Sequence, residues 1–315
     1  MVGVTFDERL AAWARGAQAL ALLAAVHEQG WTTFLAQPRD IAAVAHFTGQ
    51  NPDRVRDILA ALVATGVVSP EPDGRYRWTA PADAVDKVAN ARLVARQAAE
   101  VVRTGSATAT PADALIVAHA FGFRAGDDAR ARVETLFRPM PEMWEAIREG
   151  RLLDVGSGVG GFVLTVATML PDMHATALEA VAAVAAVAAE RAKLLGLDDR
   201  VEVLCRDART FQATQPYDAA FWAQPFFPGP TRAGTLAMIR RSLRPGGLLL
   251  IQELEAPPAD ESLSPGFTVR RLVAHARGIP FARPIEELVA ECEAAGFGRS
   301  RVIETGFGRV ALLRS

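Results

Sequence analysis

Apolar residues recur at helical spacing from Phe6 to about Val26, where Leu10, Trp13, Ala17, Leu20, Leu22 and Leu23 set the rhythm. A second helix is expected from Pro38 to about Phe47, with Ile41, Val44 and Ala45 on one face. Asn51-Pro52-Asp53 reads as a helix start, because Asn can cap the free amides and Pro fits the first helical position. Val55, Ile58, Leu59 and Leu62 then mark a buried stripe, and Gly66 stops the helix. The runs Val67–Pro70 and Asp73–Trp78 read as two short strands joined at a turn.

Three helices followed by a hairpin is the order of a winged-helix domain, expected over residues 1–82. Residues 83–150 are mostly helical and carry large apolar groups at Phe121, Phe123, Phe137, Met140, Met143 and Trp144. From Arg151 onward the rhythm changes to strands alternating with helices. Strands are expected at Leu152–Val155, His174–Glu179, Val201–Cys205, Asp218–Ala223 and Leu248–Gln252, with two more at Arg301–Glu304 and Arg309–Leu313. Such alternation predicts an α/β architecture, a mostly parallel seven-stranded sheet over residues 151–315 covered by helices on both faces.

The composition suits this plan. Half of the 315 residues are hydrophobic and 22% are charged, enough apolar surface for real cores. A net charge of −2 with no basic block argues against a nucleic-acid grip. No stretch approaches the ~20 apolar residues that span a bilayer. Asp7 and Glu8 stand where a signal peptide would carry positive charge, so a cytoplasmic location is expected. Cys205 and Cys292 are far apart and form neither a disulfide framework nor a metal-binding pair. The five histidines (His27, His46, His119, His174 and His275) have no metal-ligand spacing, and no metal is expected.

The chemistry concentrates at Leu152-Leu153-Asp154-Val155-Gly156-Ser157-Gly158-Val159-Gly160-Gly161, an apolar strand ending in a glycine-rich turn that opens a helix. Glycines allow the sharp turn and let a ligand lie against the main chain. Gly156, Gly158 and Gly161 also satisfy GxGxxG, so a nicotinamide dehydrogenase is a rival reading. Three acids weigh on the choice. Asp154 sits two residues before the first glycine. Glu179 closes the next strand, where a carboxylate can accept bonds from both ribose hydroxyls of an adenosine. Asp207, beside Ala208 after the third strand, can accept a bond from an adenine amino group.

With these residues the chain resembles the class I S-adenosylmethionine-dependent methyltransferases, specifically the small-molecule O-methyltransferase type with an N-terminal winged-helix dimerisation domain. Asp154 through Gly160 looks like that family's first motif, Glu179 matches its ribose-binding acid, and Asp207 its adenine-contacting acid. Tyr217–Phe221 is similar to the entry into the fourth strand, and Leu243-Arg244-Pro245-Gly246-Gly247 to the turn before the fifth. The segment Ile285–Phe297 resembles the last helix and its glycine stop, and Asn51–Val68 the dimerisation region. The resemblance implies a Rossmann-like sheet, S-adenosyl-L-methionine as cofactor and a small-molecule acceptor methylated at O, N or C. It also implies a homodimer formed through the N-terminal domain.

The sequence departs from the family at the base. Many such enzymes carry a histidine just after the fourth strand, but here the run is Ala223-Gln224-Pro225-Phe226-Phe227. Gln224 can donate and accept hydrogen bonds but cannot take a proton near neutral pH. His275, on a helix that the resemblance places beside the acceptor, is the other candidate catalytic group. Trp222, Phe226 and Phe227 are expected to line the acceptor pocket from a strand's carboxyl end, and the resemblance adds Met140 and Trp144 to its wall. A C-methyltransferase acting on an α-keto acid or other enolisable carbon is an alternative activity. A winged-helix regulator that senses the adenosyl ligand is a third class, disfavoured by the balanced charges of Asp53-Arg54-Val55-Arg56-Asp57.

Overall fold

The computed structural model describes residues 5–122, 126–260 and 263–315; Phe123, counted above among the large apolar groups, lies outside them. The chain divides into two compact units that meet between Arg92 and Leu93.

The first unit begins with α1 (Phe6–Glu28), whose Thr5 and Glu8 form a capping box. Short α2 (Trp31–Phe34), α3 (Ile41–Thr48) and α4 (Pro52–Ala64) follow, then the antiparallel pair β1 (Val68–Pro70) and β2 (Tyr76–Trp78). Asn51 caps α4 as expected, accepting from the Asp53 amide at 2.8 Å. Two features differ from the sequence reading. Helix α2 follows Gly30, which adopts a left-handed conformation with φ 78°. Helix α3 starts at Ile41 under an Asp40 cap, not at Pro38. Arg39 is drawn into extended structure instead, exchanging main-chain bonds of 2.9 and 2.8 Å with Tyr76. Trp31, Leu35, Val44, Val55, Leu59 and Leu62 close around Val68 as this unit's core. The stripe along α1 is buried only toward its end, at Ala24 and Val26, while Phe6, Leu10 and Trp13 are exposed.

The division between units falls inside α5 (Ala84–Thr104). The second unit continues with α6 (Pro111–Phe121), α7 (Asp127–Phe137) and α8 (Pro141–Arg148) before the sheet begins. Its strands are β3 (Arg151–Val155), β4 (His174–Glu179), β5 (Val201–Cys205), β6 (Tyr217–Trp222), β7 (Leu243–Gln252), β8 (Gly298–Thr305) and β9 (Gly308–Arg314). Helices α9 (Gly161–Met169), α10 (Ala182–Leu194), α11 (Gly229–Ser242), α12 (Ser264–Ala276) and α13 (Ile285–Ala294) connect them. The sheet order is β5-β4-β3-β6-β7-β9-β8, parallel except for β9, which runs antiparallel to both its neighbours. Strand β7 starts earlier than expected: Leu243 already pairs with Tyr217, and the Arg-Pro-Gly-Gly turn interrupts the ladder before it resumes at Leu248.

Alternate residues of each strand feed two cores, as the period of two requires. Leu152, Ala219 and Leu250 face a cluster with Val133, Phe137, Met140, Met143 and Ile147 from α7, α8 and the turn between them. Leu153, Val155, Leu249 and Ile251 face the other, with Leu236, Ile239, Leu288 and Cys292 from α11 and α13. The alanines of the α10 run, Ala185, Ala188 and Ala192, are buried and let that helix approach closely.

In the first unit, Leu59 is completely buried in the helical core. Leu59→Ala is expected to destabilise that unit by about 2–5 kcal/mol. Urea unfolding followed through the fluorescence of Trp13, Trp31 and Trp78 measures it, and an unchanged midpoint would contradict this packing.

Candidate active site

Strand β3 lies between β4 and β6, the point where strand order reverses, and a cleft opens beyond the carboxyl ends there. The cleft has a volume of about 700 Å³. Its floor is the main chain after β3. Gly156, Gly158 and Gly160 have φ of 79°, 56° and 78°, a left-handed series that side chains other than glycine rarely adopt. The amides of Gly156 and Ser157 both donate to the Leu178 carbonyl, at 2.9 and 3.0 Å, binding the turn to the end of β4. A Cβ on Gly156 would lie 2.8 Å from the Phe227 ring, so this bend has no room for a side chain. Gly160 then caps α9.

The three acids come together around this turn. Glu179 accepts from the Gly158 amide at 3.1 Å and from the Val181 amide at 2.9 Å, which orients its carboxylate at the end of β4. Each oxygen retains capacity for a further donor. Asp154 is fully buried, borders the cleft, and neither of its oxygens has a partner. Burial, reinforced by the negative charge of Glu179, pushes its carboxyl up to about 8. Asp207 borders the cleft with Ala208, but its carboxylate is already engaged. It caps the short turn over Ala208–Thr210 and takes a two-pronged ion pair from Arg209, with a closest approach of 2.6 Å. That pairing holds it below the usual carboxylate range.

The walls are apolar. Helix α6 contributes Ala114, Val117, Ala118 and Phe121, and α7 contributes Val133 and Leu136. Phe121 meets Phe226 edge-on, with ring centroids 5.3 Å apart, and both rings are substantially exposed. Trp222 and Phe227 also border the cleft, Trp222 buried with its indole N–H unpartnered. Of the expected pocket residues, Trp222, Phe226 and Phe227 are the ones lining the cleft.

Met140 and Trp144 are not. Met140 is fully buried in the core beneath the sheet, and Trp144 packs on the same core with its ring 5.5 Å from that of Phe137. The resemblance placed the right stretch of chain near the cleft, but α6 and α7 supply the wall while α8 turns inward. The short helix α8 carries a strongly one-sided apolar pattern, the signal for core rather than lid.

Neither candidate catalytic group reaches the cleft. Gln224 is buried with its amide spent: Nε2 donates to the Gln252 carbonyl at 3.1 Å and Oε1 accepts from Arg232 at 3.0 Å. Arg232, itself buried, also donates to the Gln224 carbonyl at 2.7 Å and pairs with Glu291, which in turn takes Arg283. A buried guanidinium must be met by acceptors, and Gln224 is one of them. His275 is exposed near the end of α12 and does not border the cleft. Arg277, two residues on, does. Sequence reasoning passed over it because a lone arginine beside a helix-ending glycine reads as an ordinary solvated terminus. Among the described residues no group of three His, Cys, Asp or Glu side chains could hold a metal ion.

Comparison with known proteins agrees with this arrangement. Residues 152–247 match a family model described as a methyltransferase domain. The Escherichia coli (strain K12) protein YjhP is 32% identical over 103 residues, 33% of this chain and 41% of that protein. The match therefore spans about two fifths of that relative. Among solved structures, the mitomycin 7-O-methyltransferase MmcR superposes with a TM-score of 0.70 at 21% identity, covering 98% of this chain and 96% of the other. Human N-acetylserotonin methyltransferase, solved with S-adenosylmethionine, gives 0.70 at 16% identity over 100% and 99%. LaPhzM gives 0.72 at 17% over 99% of both chains. The fold is thus shared with these methyltransferase structures along the full chain, N-terminal helical region included.

Two outcomes test this site. Asp154 titrates near 3.8 when unfolded and near 8 when buried, so the folded chain holds the extra proton between those values. Stability then falls as pH rises through that window and levels off above it. Melting of the ligand-free protein from pH 5 to 8.5 should show this decline relative to Asp154→Asn; parallel curves would mean the carboxyl stays ionised. Gln224→Ala leaves buried partners unmet and is expected to lower stability by about 1–3 kcal/mol, read from chemical denaturation.

Proposed function

We propose that the chain transfers the methyl group of S-adenosyl-L-methionine to a small-molecule acceptor in the cleft. The observation that carries this is Asp154, a buried carboxyl with two unpartnered oxygens that borders the cleft beside the glycine turn. Such a group needs a donor or a positive charge from outside the chain, and S-adenosylmethionine carries both. Glu179 would hold the ribose hydroxyls, and Asp207 with Ala208 would border the adenine. The bare main chain at Gly156 and Gly158 would back the rest of the molecule. When bound, S-adenosylmethionine supplies a methyl group already activated by its sulfonium sulfur.

The protein's share is alignment and the exclusion of water. Val117, Phe121 and Phe226 give an apolar enclosure for the acceptor body, while the glycine turn and the end of β4 hold the donor in place. Among the described residues no histidine borders the cleft. Gln224 serves Arg232, so the expected proton acceptor is missing from its usual place. An acceptor that arrives with an available electron pair, as an anion or a neutral amine, suits this cleft. The reading extends to assembly as a homodimer through the N-terminal unit, supported by the exposed Phe6, Leu10 and Trp13 on α1.

Calorimetry with S-adenosylhomocysteine and with NAD tests the reading: binding of the first and not the second is expected. Gly158→Arg should abolish that binding, since any side chain there leads into the cleft toward Ala118, and Glu179→Ala should weaken it. Binding of NAD alone, or unchanged affinity in both variants, would overturn it. Incubation with labelled S-adenosylmethionine and a metabolite extract then identifies the acceptor.

A further inference from the structure

Two other arginines withdrawn from solvent are met by acceptors. Arg232 has Glu291 and both oxygens of Gln224, and Arg200 donates to the carbonyls of Ala167, Leu170 and Met173. Arg277 differs. Its main chain is fixed: the amide donates to Val273 and Ala274 at the end of α12, and Gly278 follows with φ 68°. The Gly278 carbonyl accepts from the Gly229 amide at 2.8 Å, pinning this corner to the start of α11. The side chain is half-buried and borders the cleft, yet no hydrogen-bond acceptor of its guanidinium is found among the described residues. Loss of solvent around it lowers its pKa, and the only opposing influence is the charge of Asp113. That carboxylate is itself taken by Arg96 at 2.6 Å and by the Thr110 amide.

Arg277 shares the cleft with the edge-on rings of Phe121 and Phe226 and with Val117 and Ile279. A guanidinium presents a planar fork of donors that matches a carboxylate with two parallel bonds, and it loses little water on doing so.

Resting on the reading of this cleft as a methyl-transfer site, we propose that Arg277 is a specificity-determining residue that takes a carboxylate carried by an acceptor with an aromatic body. The rings of Phe121 and Phe226 receive the body, and the carboxylate meets the fork of Arg277. The charge of Arg277 also favours an electron-rich acceptor in a cleft with no histidine among its described residues.

The test uses the full chain saturated with S-adenosylhomocysteine, whose binding is measured first by calorimetry. Two matched probe pairs follow: 1-hydroxy-2-naphthoate against its methyl ester, and 4-hydroxycinnamate against its methyl ester, titrated by tryptophan fluorescence. The acids are expected to bind at least about tenfold more tightly than the esters, the size of a charge-assisted pair in a half-buried site. Arg277→Gln should erase that preference and Arg277→Lys should keep part of it, both with unaltered S-adenosylhomocysteine affinity and melting. Equal binding of acids and esters, no binding of either acid, or a preference that survives Arg277→Gln would overturn the proposal. Failure of S-adenosylhomocysteine to bind the wild-type chain would overturn the underlying reading instead.

Discussion

The structure of the second unit depends on one junction, where the main chain leaving β3 is bonded to the end of β4. Gly156 and Ser157 donate to the Leu178 carbonyl, and Gly158 donates to the Glu179 side chain. These bonds force three left-handed residues into the turn, and only glycine takes that conformation without strain. Because no Cβ projects there, Phe227 can pack against the bend from the side of β6. The bend holds the Glu179 carboxylate with one amide and leaves Asp154 buried beneath an open cleft. Under the proposed function, this junction is the floor on which donor and acceptor would be aligned.

A second constraint acts on the opposite side of β6. The Arg232 charge is buried, and burying a guanidinium is tolerable only if its donors are satisfied. Gln224 and Glu291 supply that, with Arg283 completing the set. The consequence for chemistry is direct. The position after β6 is used here to hold a helix against the sheet. Gln224 is thereby withdrawn from the cleft.

Much of this was legible in the sequence. All seven strands of the sheet were placed within a few residues, because runs such as Leu152–Val155 and Leu248–Gln252 are short, apolar and bounded by turn residues. Asp154, Glu179 and Asp207 were found by their spacing from the glycine turn, which local geometry converts into position at strand ends. What failed did so for nonlocal reasons. Helix α3 lost its first residues to a bridge with Tyr76, a partner far along the chain. Met140 and Trp144 were assigned to the correct stretch but to the wrong side of it. Gln224 looked free because its partners, Gln252 and Arg232, lie on other elements.

The sequence by itself therefore determined the α/β plan, the glycine turn and the acids that surround it. Each of these follows from the period of apolar residues and from the conformations a few adjacent residues can adopt. The tertiary structure alone decided which polar groups remain without partners: Asp154 and Arg277 unmet, Gln224 and Asp207 engaged. That distinction cannot be local, since a polar side chain is free or committed according to what distant strands and helices bring within about 3 Å of it.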